Sequence, residues 1–185
     1  MNTIVYFHGY GSSSKSDKVD RLKARFPDCE VLAFDANIDP EIAKAEVGDS
    51  IMFNLINDMH SDDCLVFVGT SLGAWLANEL SDKFGCKAIL VNPCYNPAES
   101  LKKYGVSSDI LEKYNVMSDI ANLRKKFVVD FEDEVIDHMP LISKLSREKI
   151  VGNKRVNEVT FVNGVGHRFN GSEWDLVMNN IAKEM

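Results

Sequence analysis

The sequence predicts an α/β fold: a three-layer, doubly wound, mostly parallel sheet of six strands, forming one domain over residues 1–185 with a small helical cap insertion at 95–125. Three observations lead there. Six short runs are apolar on both parities, as strands are when helices cover both faces of a sheet. Amphipathic helical patterns separate most of them, and such alternation implies parallel pairing through right-handed crossovers. Gly69-Thr70-Ser71-Leu72-Gly73 joins an apolar run to a helix-forming stretch, a sharp strand-to-helix turn in which glycines relieve collisions with neighbouring backbone.

The predicted strands are 3–7, 30–34, 64–68, 87–92, 127–131 and 158–162, rich in Val, Ile, Leu and Phe. A helix over 16–26 places Val19, Leu22 and Phe26 on one face. A second starts at Asp39-Pro40, a cap followed by proline in the first turn, and carries Ile51, Leu55 and Met59 along one stripe. The helix after Ser71 buries Leu72, Leu76, Leu80 and Phe84, and Gly85 ends it. The last helix, near 172–183, presents Trp174, Val177, Met178 and Ile181. Between strands 87–92 and 127–131 the connection is long, opening Asn92-Pro93-Cys94-Tyr95-Asn96-Pro97 and containing helical patterns at 100–104 and 110–114 and a helix start at Ser118-Asp119-Ile120. A connection of that length in a compact domain is expected to carry function, here as a cap over the strand rim.

Composition narrows the class of partner. The chain has 185 residues, 45% of them hydrophobic and 26% charged, and a net charge of −7 with basic residues scattered rather than striped. That argues against nucleic acid and against an anionic membrane surface. The opening Met1-Asn2-Thr3-Ile4-Val5-Tyr6-Phe7 lacks the basic start and the apolar length of a secretory signal, and no run approaches membrane-spanning length. Cys29, Cys64, Cys86 and Cys94 are widely spaced, without a C-x-x-C pair or a nearby histidine cluster. They read as buried free thiols of a protein in the reducing cytoplasm, and nothing calls for a metal or an organic cofactor. Oligomeric state is not encoded in any pattern here.

Chemistry in an open parallel sheet gathers outside the carboxyl ends of the strands. His8-Gly9-Tyr10-Gly11-Ser12 follows the first strand and Gly69-Thr70-Ser71 the third; Glu132-Asp133-Glu134 follows the fifth and Asn163-Gly164-Val165-Gly166-His167 the sixth. A serine, an acid and a histidine therefore reach one rim, in that chain order. Ser71 is the candidate nucleophile, His167 its general base and then general acid, and Asp133 the acid that orients the ring. Asp130, Asp137, Glu132 and Glu134 compete with Asp133 for the last role, Asp137 being explained as well by a helix start. His60 and His138 read as surface or packing residues, and His8 as structural support beneath its loop.

These residues resemble the α/β-hydrolase superfamily. Within it the chain is most similar to the small YqiA/YcfP-type bacterial esterase-like proteins, through Phe7-His8-Gly9, Val91-Asn92-Pro93, Asp133-Glu134-Val135-Ile136-Asp137 and His167-Arg168-Phe169-Asn170-Gly171. The resemblance covers nearly the whole chain and implies a compact hydrolase that begins at the strand bearing the His-Gly loop. Glu132 departs from the pattern by standing where a glycine commonly precedes the acid, a change expected to shift that turn. The resemblance also implies an oxyanion hole built from the backbone N–H groups of Leu72 and Tyr10. Trp75, one turn past the nucleophile, and Tyr95 in the insertion are candidate substrate contacts, with Tyr104, Tyr114 and Met117 as further candidates for an acyl pocket.

The expected activity is cleavage of small carboxylic esters, or thioesters, through an acyl-serine intermediate. A catalytically silent binding protein on the same scaffold and an acyltransferase using the same residues are the alternatives, since some members of the group lack the serine and fold alone does not set function.

Overall fold

The computed structural model describes residues 2–56, 63–118, 120, 124–152 and 158–185, with the side chains of 55, 56 and 148–152 outside the description. Six strands form one all-parallel sheet in the order β2-β1-β3-β4-β5-β6. They are β1 (Thr3–Phe7), β2 (Glu30–Phe34), β3 (Leu65–Thr70), β4 (Lys87–Val91), β5 (Lys125–Asp130) and β6 (Val159–Val162). The helices are α1 (Asp17–Arg25), α2 (Pro40–Ile56), α3 (Leu72–Phe84), α4 (Pro97–Ser100), α5 (Ser108–Leu111), α6 (Met139–Gly152) and α7 (Glu173–Ala182), with a 3₁₀ turn at Lys102–Tyr104. Among the described residues no helix is long and apolar enough to cross a membrane.

Strand alternation divides the core in two. Ile4 and Tyr6 of β1, with Val66, Val68, Ile89, Val91 and Val128, pack against Val19 and Leu22 of α1 and Trp174, Val177 and Ile181 of α7. Val5 and Phe7, with Phe67, Leu90, Phe127 and Val129, face the opposite layer: Val47 and Ile51 of α2, Leu76 and Leu80 of α3, and Leu141 and Leu145 of α6. The chain leaves β1 for β2 on one side, then crosses back past β1 to β3. This reversal puts α1 and α2 on opposite faces, as right-handed crossovers require, and opens a crevice between the carboxyl ends of β1 and β3.

Several expectations need adjustment. Of the inner strands β1 is fully buried, and β3, β4 and β5 are buried except at Leu65, Thr70, Lys87 and Lys126; β2 is half-buried throughout, and β6 leaves Phe161 44% exposed, stacked on the exposed Phe131 at a centroid distance of 4.5 Å. Both are edge strands, covered on fewer sides. Strand β5 starts at Lys125, before the apolar run at 127, because the buried Lys125 ammonium meets Asp82 at 2.7 Å; Phe131 lies beyond its end. Leu72 and Phe84 are partly rather than fully buried. Cys94 is buried, whereas Cys29, Cys64 and Cys86 are intermediate, and all four are free. The side chain of Leu55, all of Met59 and His60, and the helix start at Asp119 lie outside the described residues.

The connection between β4 and β5 forms helices of only four residues each. Leu101, Tyr114, Met117 and Ile120 join the core beside α3. Asn115 O accepts from Trp75 Nε1 at 2.8 Å, Ser118 O from Asn78 Nδ2 at 3.1 Å, and Tyr114 donates to Ile38 O at 2.7 Å.

Trp174 is fully buried, with its ring edge-on to Tyr6 at 6.1 Å, and among the described residues its Nε1 has no hydrogen-bond partner. Trp174→Ala is expected to lower unfolding free energy by about 3–5 kcal/mol through the cavity it leaves. Trp174→Phe should lower it by less than half as much, because no hydrogen bond is lost. Urea titration of the three proteins checks this, and equal losses would contradict it.

Candidate active site

Ser71 sits between β3 and α3 with φ 54° and ψ −119°, a backbone conformation that an L-residue rarely adopts. Close packing of the turn sustains it. A Cβ on Gly69 would lie 2.4 Å from Gly73 O, and one on Gly73 would lie 2.2 Å from Phe7 O. Only glycine permits these approaches. The turn is fastened to the next strand by Ser71 N donating to Val91 O at 2.9 Å and Cys94 N donating to Ser71 O at 3.0 Å. The serine side chain therefore projects from the sheet rim into the β1–β3 crevice.

His167 reaches the same point from the far side of the sheet. Its Nε2 lies 3.0 Å from Ser71 Oγ and its Nδ1 lies 2.8 Å from Asp133 Oδ2. The loop bearing the ring turns through Gly164 (φ 69°) and Gly166 (φ 77°). Asp130, wholly buried, holds that loop: its Oδ2 accepts from Val165 N at 2.6 Å and Gly166 N at 2.5 Å. Asn92, with φ 40°, accepts from Asp130 N at 2.8 Å and donates from Nδ2 to Gly166 O at 3.2 Å. Glu134 accepts from His167 N at 3.0 Å. Asp130, Asn92 and Glu134 thus position the histidine without touching its ring.

Of the five acids in contention, Asp133 is the one that meets the imidazole. Its Oδ1 accepts from Val135 N at 2.8 Å and Ile136 N at 3.0 Å, and its side chain is 0% exposed. Burial alone would raise its pKa. The hydrogen bonds from His138, His167, Val135 and Ile136 outweigh burial and hold the carboxyl well below the usual carboxylate range. Asp137 accepts from Met139 N at 2.9 Å, a helix-start role at α6. Glu132 donates its N–H to Asp130 Oδ1 at 2.9 Å, and its carboxylate accepts from Asn163 Nδ2 at 3.4 Å.

The reading of His138 as a mere surface or packing residue is corrected. It is buried, but its Nε2 lies 2.8 Å from Asp133 Oδ2, the oxygen that His167 also contacts. Its place five residues past the acid, before a helix, carried no periodic signal. Asp130 and Asn92 were more accessible to sequence reasoning, as polar residues at the carboxyl ends of apolar strands.

Two cavities meet at the β1–α1 loop, where Gly9, Tyr10, Gly11 and Ser12 line both. One, of about 180 Å³, is bounded mainly by Phe7, Phe34, Ile38, Leu72, Trp75 and Tyr114. The other, of about 220 Å³, contains Ser71 and His167 with Thr70, Lys18, Arg168 and Asn170. Trp75 lines the first although it is only 1% exposed, its ring edge-on to Tyr114 at 4.9 Å. Tyr95 and Met117 line neither cavity; they are tied to each other by Met117 N donating to Tyr95 O at 2.9 Å and pack into the core, because the insertion lies against α3. The Tyr104 ring packs against that of Tyr10 at a centroid distance of 5.0 Å, tilted by 38°. A Cβ on Gly9 would lie 3.1 Å from Ser71 Cβ, so the backbone just before Tyr10 passes close to the serine. Leu72 opens α3, where a backbone N–H has no intrahelical acceptor. His8 is turned back on its own loop, its Nδ1 2.8 Å from Gly9 O. Among the described residues no group of three or more His, Cys, Asp or Glu side chains is placed to hold a metal ion.

The six-stranded parallel sheet, the serine turn and the rim loops define an α/β-hydrolase fold. Solved structures agree: Est1E from Butyrivibrio proteoclasticus with ferulic acid bound superposes over 100% of this chain and 89% of its own, at TM-score 0.75 and 9% identity. The Pyrococcus furiosus esterase Pf2001 superposes over 98% of this chain and 81% of its own, at TM-score 0.68 and 17% identity. The chain belongs to the uncharacterised protein family UPF0227, whose sequence profile matches residues 3–139. A UPF0227 protein of Shewanella baltica strain OS155 is 27% identical over 157 residues, covering 77% of this chain and 82% of that one.

Two outcomes test the site's architecture. Gly73→Ala should abolish the soluble native fold or leave it without a functional serine turn, since the added methyl meets β1 backbone rather than a movable side chain; circular dichroism and serine-directed labelling report on each. A native-like, fully labelled variant would contradict the packing described. The low folded-state pKa of Asp133 contributes stability that is fully present above about pH 4 and lost as pH falls through the depressed value. Asp133→Asn lacks that contribution, so the stability gap between wild type and variant should narrow below about pH 4. A gap constant with pH in urea titrations would show that the carboxyl is not held low.

Proposed function

We propose that the protein is a serine hydrolase that cleaves carboxylic esters, including thioesters, through an acyl-Ser71 intermediate. The observation that carries this reading is the unbroken series of contacts from Ser71 Oγ to His167 Nε2 at 3.0 Å and from His167 Nδ1 to Asp133 Oδ2 at 2.8 Å, on a strained turn. His167 takes the proton from Ser71 Oγ as that oxygen attacks the substrate carbonyl. Asp133 keeps the ring's other nitrogen protonated and stabilises the imidazolium that forms. The negative oxygen of the tetrahedral intermediate is received by the backbone N–H groups of Leu72 and Tyr10. Collapse expels the leaving group, which takes its proton from His167 Nε2; water then repeats the sequence against the acyl-enzyme.

The direction of proton transfer assigns the two cavities. The leaving atom must meet His167 Nε2, so the alcohol or thiol portion occupies the cavity lined by His167, Lys18 and Asn170. The acyl portion extends to the other side of the Tyr10 loop, among Phe34, Ile38, Trp75 and Tyr114. The insertion at 95–125 acts as a cap in a limited sense, supplying Tyr114 to the acyl wall. Est1E, whose fold is shared, holds ferulic acid.

A fluorophosphonate probe should label wild type and leave Ser71→Ala unlabelled, with hydrolysis of p-nitrophenyl butyrate reduced by at least about 10⁴-fold. Across p-nitrophenyl esters of graded acyl length, kcat/KM should rise and then fall sharply as the chain outgrows the cavity. Equal labelling of the two proteins would defeat the proposal and favour a silent binding role.

A further inference from the structure

The mechanism above leaves one buried histidine unused. His138 is 4% exposed and directs Nε2 at Asp133 Oδ2 from 2.8 Å, and His167 Nδ1 reaches the same oxygen from 2.8 Å. A carboxylate can only accept, so both imidazoles present N–H to it. Among the described residues His138 Nδ1 has no hydrogen-bond partner, which leaves the contact with Asp133 to set the ring's tautomer. A cavity of about 350 Å³ lies on this side of the acid, lined by Asp133 and His138 with Glu134, Asp137, Phe131 and Met139. Neither cavity beside Ser71 includes His138.

We propose that His138 is a positioning residue of the hydrolytic site, the outermost member of a hydrogen-bonded series Ser71–His167–Asp133–His138. The inference rests on the serine-hydrolase reading. Two backbone N–H groups fix Asp133 Oδ1, and His138 completes the restraint by giving Oδ2 a second imidazole donor. It also shares the charge on that oxygen, so the proton on His167 Nδ1 stays with the ring while the carboxylate remains ionised. Without His138, Oδ2 has one side-chain donor and an adjoining cavity into which to turn. The His167 ring then loses its fixed orientation toward Ser71 Oγ. Because His138 touches neither substrate cavity, the loss falls on the chemical step rather than on binding.

The test compares wild type, Ser71→Ala, His138→Gln and His138→Asn by steady-state hydrolysis of p-nitrophenyl butyrate. Active sites of wild type and the two His138 variants are counted by fluorophosphonate titration, so that unfolded protein does not enter kcat, and Ser71→Ala is compared at equal concentration of folded protein by circular dichroism. The Gln amide nitrogen reaches the place of Nε2, whereas the Asn amide stops at the depth of Nδ1. His138→Gln should keep kcat within about threefold of wild type, and His138→Asn should lower it roughly 10- to 100-fold at unchanged KM, comparable with loss of the outer partner that orients a metal-bound histidine. Wild-type kcat in His138→Asn, equal losses in both variants, or a loss confined to KM would overturn the positioning role while Ser71→Ala remains inactive. A Ser71→Ala protein as active as wild type would sink the hydrolase reading itself, and the role of His138 with it.

Discussion

The approach of α3 to the end of β1 is the constraint on which the rest of this molecule depends. Gly73 and the Phe7 carbonyl are so close that a single added methyl would lie 2.2 Å from the oxygen. That contact brings the helix start, the serine and the β1 loop into one small volume. It also forces Ser71 into its positive-φ conformation, which the surrounding strand and helix over-determine. The same reversal of strand order opens the crevice between β1 and β3, where the β1 loop and the start of α3 face each other.

The opposite wall is polar and is organised around buried carboxylates rather than tight backbone packing. Asp130 and Asp133 lie three residues apart and divide the work. Asp130 accepts from the backbone of the Gly164–His167 turn and so fixes where the loop runs. Asp133 accepts from imidazoles and so fixes how the ring points. Each is satisfied by several donors, the condition under which buried charge is tolerated. Asn92 links the two sides, since it receives the Asp130 N–H and donates to the Gly166 carbonyl.

Much of this was legible in the residues because it follows from local rules. The strand positions, the chain order of serine, acid and histidine along the rim, and the capped start of the helix at Asp39-Pro40 all derive from periodicity or turn chemistry. Tertiary effects were not accessible in that way. Strand β5 recruits Lys125 because Asp82 of α3 waits beside it, a pairing separated by 43 residues. Tyr95 and Met117, expected at the pocket together with Tyr114, are drawn into the core instead, since the insertion lies along α3 and brings only Tyr114 of the three to the cavity wall. His138 sits in a turn without period, and only the three-dimensional return of the chain brings it to Asp133.

The ring pair formed by Tyr10 and Tyr104, both nearly half exposed, joins the short connector after β1 to the long excursion after β4. Tyr10 belongs to the partition separating the two halves of the groove, so its stance sets how wide each half is. Changes in the excursion can therefore reach the wall between the two cavities from a distance, by leaning on this aromatic hinge post, while Ser71, His167 and Asp133 stay where they are.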